Sequence, residues 1–404
     1  MTTSQMTLVA RLSGIFSIPT TRRLPPEFIS SMWSRILANI SESLPWFIKE
    51  GKMRKQIPVA IIIALIFSSL FGEEKEPFDK RGTTAASFLK IGIGRPTGMG
   101  EAFVALSDDP SAIFYNPGGL TQLQKREVMF NYIDWLGDIT HNYLSFTTPL
   151  TGIGVLGISL CAVDIGNLEY YAVDSLGTPV PEDDSLLMTF PCSDFSAGIS
   201  FARMITDKLS FGTTVKGIYE KIWDMIASSL AIDLGLHYNT GFRSLRLGVS
   251  MSNFGQEMSF SGRQLDRIEK DPVTGKEVPV RYKSTPFALP AIFRFGIAYN
   301  LIDKEAEKLV SCLDLVHYND INETFNVGLE YSLKNFLYLR GGYIFNTSET
   351  YRSKDKGVGP LTGLSGGLGL GFKTGENLTW QVNYNYRHNQ ILSGSHRITL
   401  SIGF

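Results

Sequence analysis

The chain ends on an alternating run. Ile398, Leu400, Ile402 and Phe404 are apolar, while Arg397, Thr399, Ser401 and Gly403 between them are polar or small. A period of two places the two sets on opposite faces of a β-strand. The pattern recurs in 230–239, where Leu230, Ile232, Leu234, Leu236 and Tyr238 alternate with Ala231, Asp233, Gly235, His237 and Asn239. It recurs again in 243–252, 325–334 and 378–387. Each run is near the ~9–11 residues that a tilted membrane strand requires. After residue 72 no apolar run is long enough for a membrane helix. The pattern predicts an all-β fold, a transmembrane antiparallel β-barrel with lipid outside and polar residues inside.

About fourteen such segments follow one another. They begin near Arg126, His141, Ile153, Asp194, Leu209, Ser229, Leu245, Ala291, Leu309, Thr324, Phe336, Leu364, Leu378 and His396. The long connections, 165–193, 255–288 and 347–361, all follow odd-numbered strands. Those after even-numbered strands, around Thr151, Asp207, Gly241, Lys304, Asn335 and Gly375, are short. Long loops on one rim and short turns on the other are the asymmetry of outer-membrane barrels. This order leaves Phe404 on the short-turn rim.

The cost of a charge in lipid assigns the faces, since an Arg or Lys at the midplane costs about 2–4 kcal/mol. Asp233, Arg246, Arg294, Asp314, Glu330, Arg340 and Arg387 share the polar parity of their strands and are expected to form a polar network in the lumen. Pairing 325–333 with 337–345 places Glu330 opposite Arg340 inside and Leu333 opposite Leu337 outside. Trp135, Tyr219, Trp223, Tyr238, Tyr299 and Tyr318 suit interfacial girdles. Pro149, Pro286 and Pro290 fall at or near strand ends, so the sequence shows no obvious break in the wall.

Ahead of the strands the pattern changes twice. Met53, Arg54 and Lys55 precede an apolar stretch from Ile57 to about Phe71, followed by Gly72 and acidic Glu73, Glu74 and Glu76. That order reads as a signal peptide over 53–72, shorter than the ~20 residues of a spanning helix. Residues 1–52 then read as a spurious upstream extension, although Ile29, Met32, Trp33, Ile36, Leu37 and Ile40 fall at helical spacing. Residues 73–124 form a separate segment, and 125–404 the barrel.

Residues 82–124 do not alternate. They are rich in Gly, with paired Asp108 and Asp109 and an Asn116-Pro117 turn. Gly100 to Leu106 is expected as a short helix, and Pro117 forbids the helical region for Asn116. Gly92, Gly94 and Gly98 lack the spacing of a nucleotide loop, and no Lys-Ser/Thr follows.

Composition removes several function classes. The 404 residues are 43% hydrophobic and 19% charged with net charge −1, which gives no electrostatic case for nucleic acid. Cys161, Cys192 and Cys312 form no disulfide framework. Cys161 and Cys192 flank one long loop, a placement open both to pairing and to isolated thiols. The five histidines show no metal-ligand spacing, and no catalytic constellation or cofactor site stands out. His141 and Ser145 share a face but stand roughly 13 Å apart along one strand, beyond reach of a nucleophile and its base.

The run FLKIGIGRPTGMGEAFVALSDDPSAIFYNPGGL resembles the N-terminal signature of PorV/PorQ-type outer-membrane proteins. The stretches LRLGVSMSNFG, LPAIFRFGIAY, LEYSLKNFLYLRGGY and HRITLSIGF are also similar to that family, which is related to FadL-type long-chain fatty acid channels. The resemblance covers most of residues 82–404. It implies a fourteen-stranded barrel with an N-terminal hatch in the lumen carrying Gly98, Met99, Gly100, Asp108, Asp109, Asn116, Pro117, Gly118 and Leu120. Gly118 stands where the family has alanine, which is expected to loosen that turn. The resemblance implies a secretion component of type IX kind that delivers exported proteins through loops 165–193 and 255–288. Its alternative is a FadL-like channel for hydrophobic molecules, and a third reading is a structural barrel without transport. The expected surroundings are outer-membrane lipid of a Gram-negative-type bacterium, reached by Sec-dependent export.

Overall fold

The computed structural model describes residues 84–137, 139–170, 188–271, 273–346, 363–375, 378–389 and 394–404. The expected leader and upstream extension lie outside them. Fourteen strands close into one antiparallel barrel: β1 (Glu127–Asp134), β2 (Thr140–Leu150), β3 (Gly154–Tyr170), β4 (Met188–Met204), β5 (Leu209–Ile222), β6 (Met225–Asn239), β7 (Arg246–Gly255), β10 (Ile292–Asp303), β11 (Glu307–Tyr318), β12 (Thr324–Leu333), β13 (Leu337–Asn346), β14 (Leu364–Thr374), β15 (Leu378–Arg387) and β16 (Ser395–Gly403). The ring closes where β1 pairs with β16, Glu127 opposite Gly403. Two further short strands, β8 (Asp266–Lys270) and β9 (Glu277–Arg281), form a separate hairpin in the loop between β7 and β10.

Alternation sorts the faces as lipid demands. Leu230, Ile232, Leu234 and Leu236 point out and are 38–63% exposed, while Ala231, Asp233 and His237 between them are buried in the lumen. Glu330 is opposite Arg340, and Leu333 is opposite Leu337. A closed ring leaves no strand edge for lipid to meet.

Three features depart from the sequence reading. First, β3 and β4 are 17 residues each and replace much of the expected 165–193 loop. At ~3.3 Å per residue each reaches roughly 56 Å, more than a tilted strand needs to cross the ~30 Å hydrocarbon core, so this pair stands beyond it on the long-loop rim. Second, the register shifts at Asp164/Gly166, at Asn300/Ile302 and at Ile232/Leu234. The last seats Asn253 with φ 63° and its side chain inside the wall. None of these shifts opens the ring. Third, Trp135 and Tyr318 do not join a lipid girdle. Trp135 packs against the internal apolar cluster and Tyr318 is 9% exposed beside Ile292 and Val316. Of the two arrangements left open for Cys161 and Cys192, the structure has the isolated thiols. Cys161 faces Ser196 across the ladder, four residues from Cys192, or roughly 13 Å along β4.

Candidate functional site

Residues 84–123 fill the lumen. They form 3₁₀ turns at Ser87–Lys90, Arg95–Met99 and Pro117–Gln122 and a one-turn α-helix at Ala112–Tyr115. Residues 100–106, expected as a helix, are turns. Gly100 and Glu101 have φ of 61° and 60°, which no helix accepts, and the amides of Phe103 and Val104 donate to Asp314 Oδ2 on β11 at 2.7 and 2.9 Å. The wall has taken the donors that a helix would have used internally.

One guanidinium gathers the charges of this hatch. Arg95 pairs with Asp108, with Asp109 at 2.5 Å and with Glu330 of β12 at 2.9 Å. Glu330 also pairs with Arg340 of β13 at 2.5 Å, and Arg340 donates to Asn383 of β15 at 2.8 Å. Burial alone would lower the pKa of Arg95, but the Glu330 and Asp109 carboxylates outweigh it and raise it. Arg95 was not among the expected site residues. Its signal was present, a cation between Gly94 and Pro96 in a lumen segment carrying an Asp pair.

Asn116 shows why its neighbour is proline. Its backbone is extended (φ −157°), and its side chain accepts from the Gly118 amide at 3.1 Å. The same side chain donates to the carbonyls of Val104 at 2.8 Å and Leu236 of β6 at 2.9 Å, tying the turn to the hatch and the wall together. Gly118 is not loose: a Cβ there would strike the backbone of Gly235 at 2.8 Å. Leu120 is fully buried. Gly98 and Gly100 press against β13 to β15, where Gly342, Gly367 and Asn385 stand, and the Gly100 amide donates to Ser365 Oγ at 2.9 Å. Met99 meets Gly328 of β12.

The glycines on the wall are the part that alternation hid. Gly212, Gly235, Gly248, Gly328 and Gly342 sit on five strands, and a side chain on any of them would enter the hatch backbone. Gly212 lies opposite Gly235, and Gly328 opposite Gly342. Only absent side chains let one main chain lie on another at this distance.

The expected polar network divides into separate sets. Glu330 and Arg340 belong to the Arg95 cluster. Asp314 holds hatch amides. Asp233 pairs with Lys216 at 2.8 Å and accepts from the Asn253 amide at 2.6 Å. Arg387 pairs with Glu101 of the hatch at 2.9 Å, and half-buried Arg246 donates to Asn300 at 2.8 Å. Arg294 lies over the rings of Phe114 and Tyr115 at 5.8 and 5.7 Å. His141, buried, contacts Cys161 Sγ at 3.2 Å rather than Ser145.

Beside the hatch lies a small cavity of about 20 Å³, bounded by Phe88, Leu89, Ile113 and Phe114 of the hatch and by residues of β2 to β6, among them Tyr143, Cys161 and Lys216. That volume suits about one water molecule. Above it, toward the long-loop rim, Trp135, Ile139, Ile165, Phe260 and Phe287 pack in the same apolar cluster as Phe88, Leu89 and Tyr143. Below it, Ala112, Ile113, Leu120 and Leu123 meet Val155 and Ala202 near the short turns.

These features define a membrane-spanning β-barrel closed by an internal hatch. No protein-family model matches the chain, and no curated protein matches it. Among solved structures it is similar to the Pseudomonas putida toluene transporter TodX, at 14% identity, with 81% of this chain and 99% of that chain covered and a TM-score of 0.48. It is also similar to the CymD monoaromatic hydrocarbon channel (13% identity, 77% and 96% covered, TM-score 0.46) and to a Pseudomonas aeruginosa FadL homologue (12% identity, 78% and 98% covered, TM-score 0.45). At these values the fold rests on the strand pairings themselves.

Proposed function

We propose that the protein is an outer-membrane channel of FadL-like type that carries hydrophobic small molecules past its hatch. One observation supports this reading above the others. The lumen of a water-filled barrel is polar. Here its mouth at the long-loop rim is lined by Trp135, Ile139, Ile165, Phe260 and Phe287, continuous with Phe88 and Leu89 of the hatch. An apolar solute gains by leaving water for such a lining, at about 25 cal/mol per Å² of apolar surface buried. The long loops then face outward and Phe404 the periplasm.

The delivery of exported proteins that the PorV/PorQ resemblance implies is the second reading. It draws on the β8–β9 hairpin, which presents Ile268, Val278 and Tyr282 to solvent at 37–73% exposure. Much of the other loop named for that role is taken up by β3 and β4, and 171–187 lie outside the described residues.

The test is uptake of radiolabelled toluene and oleate by cells producing the protein against cells without it. Several-fold faster entry of either solute is expected, together with a marked slowing when Phe260 and Phe287 are both changed to Asp. Equal uptake with and without the protein overturns the channel reading.

A further inference from the structure

The hatch meets the wall in two ways. On one side it is fastened by polar contacts. Gly94 donates to Asn131 of β1 at 3.1 Å and accepts from Asn385 of β15 at 3.3 Å. The Gly100 amide reaches β14, those of Phe103 and Val104 reach β11, Arg95 reaches β12 and Arg387 of β15 reaches Glu101. Thr121 donates to Ser210 of β5 at 2.8 Å, and Asn116 to the Leu236 carbonyl of β6. Toward β2, β3 and β4 the hatch presents apolar side chains. Ile113 lies over Gly157, Phe114 meets Tyr143 edge-on at 6.3 Å, and Leu120 and Leu123 join Val155 and Ala202.

We propose that an apolar molecule crosses the barrel along this one side, between the Ala112–Tyr115 turn and strands β2 to β4, while the hatch stays docked to the remainder of the wall. The inference rests on the channel reading and adds the route. Three observations carry it. The hatch side of the route is apolar from rim to rim, through Phe88 and Leu89, then Phe114, then Ile113 and Leu123, while the wall side carries Tyr143, Ser159, Ser196 and Thr214 and the mutually paired Lys216 and Asp233. Opening the route needs Ile113 and Phe114 to change rotamer, whereas opening the other side separates buried carboxylates from guanidiniums. The ladder β2–β3 is continuous from Thr140 to Leu150, and β3–β4 runs unbroken from Val155 to Asp164, so the path is axial rather than through the wall.

Gly157 and Gly198 line the wall face of the route, and their missing side chains set its width. Lys216 at its edge is already paired with Asp233, so the site suits an uncharged solute.

Two native cysteines report on the two sides. Cys161 of β3 lines the cavity, and Cys312 of β11 lies beneath the docked side; both are buried. Purified protein in detergent is treated with N-ethylmaleimide, with and without toluene. Labelling of each cysteine is followed by peptide mass spectrometry and normalised to the same cysteine in unfolded protein. At least tenfold faster labelling of Cys161 than of Cys312 is expected. Equal labelling, faster labelling of Cys312, or labelling of neither overturns the proposal. A second measurement uses disulfide locks in a background without native cysteines. Thr121→Cys with Ser210→Cys fastens the docked side and is expected to leave toluene uptake within twofold of that background. Ile113→Cys with Gly157→Cys bridges the route and is expected to reduce uptake at least tenfold, restored by reductant. The reverse result overturns the route. If the background itself takes up no toluene, the channel reading fails while the labelling contrast still decides where the hatch opens.

Discussion

Strand β12 and hatch segment 94–106 touch through Met99 and Gly328, yet they take their shapes from different sources. In β12, Phe325, Val327 and Leu329 face out and Asn326, Gly328 and Glu330 face in, and the backbone is paired by β11 and β13 on its two sides. Its conformation can be read from its own residues. In the hatch segment, Gly94, Gly100, Phe103 and Val104 donate to Asn131, Ser365 and Asp314, which lie far away in sequence. Its conformation is written in the side chains of the wall. Changes to the wall face are therefore expected to act through lipid or solvent, and changes to the hatch through buried partners.

The largest expected effect tests the shared charge. Glu330→Ala leaves Arg95 with its hatch aspartates and Arg340 without any carboxylate, a loss of about 3–5 kcal/mol for a broken buried pair. Urea titration of the protein refolded into detergent micelles measures it, and Glu330→Gln is expected to cost less because an acceptor remains. A change under about 1 kcal/mol would show that the cluster does not hold the hatch. Next comes the outer face. Leu234→Arg, on a residue 38% exposed in the absence of lipid, is expected to cost about 2–4 kcal/mol for a lipid-midplane position. The same titration in lipid vesicles reads it, and an effect equal to that of Leu234→Ser would remove lipid from that face.

Asn116→Ala removes two donors and one acceptor that bind the turn to Val104, Leu236 and Gly118. A loss of about 1–3 kcal/mol is expected, seen also as faster protease cleavage within 84–123. The smallest effect belongs to the outer hairpin. Ile268→Ser, 73% exposed, is expected to change stability by less than about 0.5 kcal/mol, and a larger change would mean that the hairpin is packed against something in the membrane-bound protein.

The sequence made most of the wall legible because each strand carries its own parity. Strand starts, the sorting of loop lengths and the Glu330–Arg340 register all follow from a period of two and from the cost of charge in lipid. The β8–β9 hairpin did not, because Asp266–Lys270 and Glu277–Arg281 are largely exposed and bury no face that would impose alternation. From its residues alone the hatch was visible as a break in the pattern, and only the family resemblance put it in the lumen. Its turns depend on Asp314, and its closeness to the wall depends on glycines that in sequence look like any others on the polar face of a strand. Arg95 was passed over because its partner Glu330 lies 235 positions along the chain.

The most direct test is ion conductance in planar lipid bilayers, comparing the native protein with a variant lacking residues 84–123. The account predicts that the native protein passes no steady ion current, because the docked hatch closes the water path. It predicts that the variant still inserts and conducts as an open pore, because the strand pairings close the ring without the hatch. A native protein that conducts as an open pore, or a hatchless variant that inserts and stays silent, would contradict it.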